Sequence, residues 1–234
     1  MTKTALAVAV LCVLCLSLNA APIYGTFGMT SVTGGVLVYQ TAGPTMNFID
    51  FSPTGGSSGT FNVTTATSGL SGLAGAAGTI LDMTDYTPPN AGFVYFPVGI
   101  PVAVNNYLAF AAAPGSAWNF QGNYIYPQAC APSATQYCTG GFMFNQIGPN
   151  VSVSVAIAGT LNPGVDQTGF DLILTAQYVG TSMATVLANA QTPGGANADS
   201  WSGSFSSVPE PGTVTLIGAG LGLLAFGGYR RRKK

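Results

Sequence analysis

The chain has 234 residues and a formal net charge of −1, with six basic residues, seven acidic ones and no histidine. Its basic residues stand at the two ends, Lys3 at one and Arg230, Arg231, Arg232, Lys233 and Lys234 at the other, so residues 21–208 carry six aspartates and no cation. Such a stretch repels nucleic-acid phosphates, and it lacks the residue types that usually supply a positioned base, a Schiff-base amine or an anion clamp. Nucleic-acid binding is excluded on these grounds, and an enzyme is not expected.

Residues 1–21 read as a secretory signal peptide: Lys3, an apolar run over 5–18, then Ala20 and Ala21 before Pro22. Neither Cys12 nor Cys15 follows a small residue, so a lipoprotein signal is not expected.

Residues 22–207 form the expected exported domain. Short β-branched and aromatic runs, broken by Gly, Pro, Asn and Ser clusters, predict strands over 23–29, 32–40, 45–51, 60–65, 78–83, 92–96, 102–111, 141–146, 151–161, 169–178 and 200–206. Together they predict an all-β fold, an antiparallel β-sandwich of jelly-roll type. The run 151–161 is the clearest: Val151, Val153, Val155 and Ile157 alternate with Ser152, Ser154, Ala156 and Ala158, giving one buried face and one small polar face. The alternation breaks over 182–190, which predicts one short helix.

Cys130 and Cys138 are the only cysteines between the terminal segments. In an exported protein that spacing predicts a disulfide closing a short loop, worth roughly 2–3 kcal/mol by chain entropy. Asp82 with Asp85, or Asp166 with Asp171, has oxygen ligands to offer Ca²⁺. Turn-initiating, solvated aspartates explain the same residues, and no metal or cofactor is expected. Trp118, Phe120, Tyr124, Tyr126 and Tyr137 crowd into an Asn- and Gln-containing segment, with Trp118, Tyr124 and Tyr126 the candidate glycan contacts. Exposed rings with amide neighbours suit the stacking of a sugar, whereas the same rings also suit a core; Trp201 is expected in the core.

The end of the chain is built differently. Residues 213–229 are uncharged and largely apolar, at the short limit for a membrane span, and the five cations that follow would remain cytoplasmic. Val208-Pro209-Glu210-Pro211-Gly212, the apolar run and the basic cluster together resemble the PEP-CTERM sorting signal of exported Gram-negative bacterial proteins. The resemblance covers 208–234 and implies that Pro209, Glu210 and Pro211 are recognised by an exosortase, a membrane cysteine protease. It further implies that Arg230, Arg231, Arg232, Lys233 and Lys234 act as the stop. A short helix, a glycine turn and the strand Ser-Trp-Ser-Gly-Ser-Phe also resemble middle domains of other proteins with this signal. The expected protein is thus an exosortase substrate at the cell surface or outside the cell, structural or adhesive in an exopolysaccharide or biofilm layer. A carbohydrate-binding module for exopolysaccharide is the alternative.

Overall fold

A computed structural model describes residues 23–32, 37–41, 46–51, 58–84, 94–131, 133–164, 167–191 and 195–208. The expected signal peptide, the sorting motif, the span 213–229, the basic cluster, Asp85 and Asp166 lie outside the described residues. No helix among the described residues is long and apolar enough to cross a membrane.

The structure is mostly β and largely antiparallel. Eight strands form its main body: β1 (Thr26–Ser31), β4 (Ser58–Ala66), β5 (Ala77–Leu81), β8 (Val104–Phe110), β9 (Asn119–Ile125), β12 (Asn150–Asn162), β13 (Thr168–Tyr178) and β15 (Ser200–Val208). Each pairs antiparallel with the next of this series, and β15 returns to pair with β1. The ladder therefore closes on itself. The sandwich expectation holds for the antiparallel pairing, but the path is an up-and-down meander closed into a barrel rather than a jelly roll. Closure leaves no free edge among these eight strands.

One strand edge does two jobs. The first half of β12 pairs with β11 (Phe142–Ile147), and its second half pairs on the same side with β9. β11 in turn carries β10 (Gln136–Thr139), so this corner opens into a flap. A smaller sheet covers it, in the order β14 (Ala196–Asn197), β2 (Leu37–Thr41), β3 (Met46–Asp50), β6 (Met83–Thr84) and β7 (Val94–Tyr95). Phe51, just after β3, tilts against Trp201 of β15 with ring centroids 5.1 Å apart, and a cavity of only about 10 Å³ remains between the layers. Helix α1 (Met183–Ala190) buries Met183, Val186 and Ala190, and Ser182 caps it by accepting from the Thr185 N–H.

Phenylalanines fill the barrel. Phe27, Phe61, Phe110, Phe120, Phe170 and Phe205 come from six different strands, and all are buried. Phe27 stacks on Phe205 at 4.4 Å, while Phe110 and Phe120 meet at 5.2 Å. An eight-stranded barrel has an interior of about the width that side chains fill. Rings this large need small residues opposite: Gly122 and Gly159 pair across β9 and β12, and a Cβ on either would collide with Phe96 or Phe170.

Two 3-10 turns close one end, Ser68–Leu73 and Gly115–Ala117. Leu70 and Leu73 of the first are fully buried, and a Cβ at Gly115 of the second would press on Leu73 and Phe110. The helix expected over 182–190 is α1, whereas β9 and β10 fall between 111 and 141, where no strand is predicted from the sequence.

Candidate functional site

The disulfide between Cys130 and Cys138 is present, with Cα atoms 5.7 Å apart. It ties the segment leaving β9 to β10, and the Gln128 N–H donates to the Gly140 carbonyl alongside it. The chain thereby lies along the outer edge of the flap.

The expected ring cluster divides in three. Trp118 sits at the end of the barrel, half-buried, 6.2 Å from the ring of Phe120. Tyr124 and Tyr126 lie six and eight residues further on, about 20–25 Å away along an extended strand. Their rings meet edge to face at 5.2 Å, both half-buried on the outer wall. Tyr137 is elsewhere again, against Phe144. Trp201 is in the core.

The wall beneath the two tyrosines is built by register. Tyr124 is opposite Ala158, and Ala158 is opposite Asp171, so these three side chains share the outer face. The methyl group on β12 leaves room for the rings to lie across it, which explains why Ala158 is buried although it faces outward. Tyr126 donates its hydroxyl to Asp171 Oδ1 at 2.7 Å. That bond to a carboxylate, with partial burial, holds the Tyr126 phenol well above its usual range. Ile173, exposed, extends the patch beyond Asp171.

An amide strip continues it along β9. Asn119 Nδ2 donates to Asn105 Oδ1 at 3.0 Å, and its own Oδ1 accepts from the Asn106 N–H at 2.9 Å. Gln121 Nε2 donates to Asn123 Oδ1 at 3.1 Å. Asn106 holds a left-handed φ of 54° where the register of β8 against β9 shifts, a conformation asparagine tolerates better than most residues. Sequence reading names the tyrosines and Asp171 separately but not their meeting, since Asp171 stands 45 positions from Tyr126. A second shallow feature, a groove of about 420 Å³, is lined by Thr60, Asn62, Thr79 and alanines over β4, β5 and β8. It lacks an exposed ring.

Among the described residues Asp82, Asp171 and Asp199 stand apart from one another. Asp171 belongs to the tyrosine patch, and Asp199 Oδ2 accepts from the Val179 N–H at the opposite end of β13. Asp82 is fully buried: Oδ1 accepts from the Phe51 N–H at 2.9 Å, and Oδ2 has no partner among the described residues. Burial pushes its carboxyl up to about 7, against the Phe51 hydrogen bond, with nearby Asp50 adding to the rise. No group of three metal-ligating side chains occurs among the described residues.

A closed, phenylalanine-filled barrel whose last strand ends one residue before Pro209 is a folded domain carried on a terminal segment. Residues 207–233 match the PEP-CTERM protein-sorting motif. The chain thus bears the signal of an exosortase substrate, which implies export, sorting to the cell envelope or surface, and exosortase processing. Neither a curated protein nor a solved structure matched the chain.

Proposed function

We propose that this chain is a non-catalytic component of the cell surface or extracellular matrix, held in the membrane by residues 213–229 until exosortase acts and then structural or adhesive in an exopolysaccharide or biofilm layer. The observation that carries the reading is the outer wall of the barrel. In register across five strands run Thr175, Ser202, Thr30, Asn62 and Ala77, a row of short, mainly hydroxyl- and amide-bearing side chains with no charge. A wall of this kind offers donors and acceptors to polymer hydroxyls over a broad area without attracting counterions. The filled interior supports the same view, because binding then belongs to the exterior.

The tyrosine patch favours a second reading, a carbohydrate-binding module. Two rings over a methyl floor, with Asp171 and the amide strip beside them, match the needs of a sugar ring: an apolar face to stack on and polar edges to satisfy. Affinity electrophoresis through gels containing the producing cell's exopolysaccharide tests both. Retardation lost in Tyr124→Ala/Tyr126→Ala assigns binding to the patch. Retardation unchanged in that variant assigns it to the wall, and none at all overturns polysaccharide contact in either form.

A further inference from the structure

We infer that the end of the barrel capped by the two 3-10 turns rests on the membrane surface before processing, with Trp118, Tyr24, Ile23 and Val208 at headgroup level. The inference rests on the reading of 213–229 as the span. Five Cα steps separate Val208, the last residue of β15, from Thr213, where the apolar run begins, and they reach at most about 18 Å. The headgroup layer takes up roughly 5–8 Å of that distance. The domain is therefore confined to within roughly 10–13 Å of the lipid, and the remaining question is which surface faces it.

Two observations select this end. β15 and β1 are neighbours, and the Ser207 N–H donates to the Gly25 carbonyl at 3.0 Å, so both ends of the domain leave from one rim. That rim carries no charge among its described residues. Its exposed positions include Ser71, Gly72, Ala112, Ser116 and Ala117; Asp199 is at the far end and Asp171 is on the wall, while Asp166 falls in the sequence between Asn162 and Thr168, which close β12 onto β13 at this rim. The rim also presents half-buried Trp118, Tyr24 and Ile23 and exposed Val208, and amphipathic rings settle at the boundary between headgroups and acyl chains.

Full-length chain reconstituted in phosphatidylcholine vesicles tests the contact, with nitroxide quenchers placed at shallow or deep acyl positions. Trp118 and Trp201 are the two tryptophans, and Trp201 is in the core at 2 % exposure. The shallow quencher is expected to remove at least a third of the fluorescence, and Trp118→Phe to abolish that effect. Ser71→Asp/Ser116→Asp, which leaves the core untouched, is expected to halve the quenching or more without moving Tm. A chain that floats with vesicles but shows no quenching of Trp118, or quenching indifferent to the added carboxylates, overturns the contact and leaves the span standing. Failure to float overturns the span and the contact with it.

Discussion

Gly25 and Ser207, 182 positions apart, hold each other by three hydrogen bonds: the Gly25 N–H donates to Ser207 Oγ at 2.8 Å, and the hydroxyl and N–H of Ser207 both donate to the Gly25 carbonyl. This contact joins the first barrel strand to the last and places the start of the domain beside the sorting segment. A tail removed beyond Val208 leaves the barrel complete, whereas a cut within β15 takes Trp201 and Phe205 from the core and two ladders with them.

A chain covering 22–208 is accordingly expected to unfold in one cooperative transition, and one ending at residue 199 to show none, as read by near-ultraviolet circular dichroism against temperature. Ser207→Ala in the longer chain should cost about 1–2 kcal/mol, since it removes the two hydrogen bonds made by the hydroxyl.

Asp82 gives the fold an unusual response to pH. Its carboxyl ionises at about 7 in the folded state and near 3.8 when free, so folding favours the protonated form. The stability this provides is fully present below about pH 4, is lost as pH rises through about 7, and stays flat above. Asp82→Asn keeps an oxygen for the Phe51 N–H and removes the charge. The difference in unfolding free energy between Asp82→Asn and the parent should grow by roughly 2–4 kcal/mol from pH 4 to pH 8 in urea titrations. A constant difference would show that the carboxyl is not perturbed.

Packing within the barrel predicts a contrast between two glycines. Gly159 faces the ring of Phe170, so Gly159→Ala should lower stability by about 1–3 kcal/mol through overpacking. Gly169 has only ordinary contacts with Val208, the nearest at 3.8 Å, and Gly169→Ala should stay within about 0.5 kcal/mol of the parent. Thermal melts of the two variants side by side decide the matter.

Gln146 clamps the far end. Its Nε2 donates to the carbonyls of Gly148, Asn150 and Thr181, and its Oε1 accepts from the Met183 N–H at the start of α1. One side chain thus ties the β11–β12 turn to the helix. Gln146→Ala should cost about 2 kcal/mol, and Gln146→Glu at least as much at neutral pH, because a carboxylate cannot donate to those carbonyls. Urea midpoints of both variants check this.

Much of the architecture was legible because it is local. Alternation over 151–161 marked β12, the break over 182–190 marked α1, and the spacing of Cys130 and Cys138 marked a loop short enough to cross-link. β9 escaped for an equally local reason: its register against β12 shifts near Asn123, so Phe120, Gly122 and Ile125 do not keep a period of two.

Sequence by itself determined the sorting motif of residues 207–233, the exclusion of cationic chemistry and the strand-rich class, since these depend on composition and short-range pattern. Tertiary structure alone decided the closure of β9 onto β12, the meeting of Tyr126 with Asp171, and the neighbourhood of Gly25 and Ser207. Periodicity fixes which face of a strand is buried. It does not specify which strand lies alongside, because that depends on how the whole set of rings packs within one closed wall.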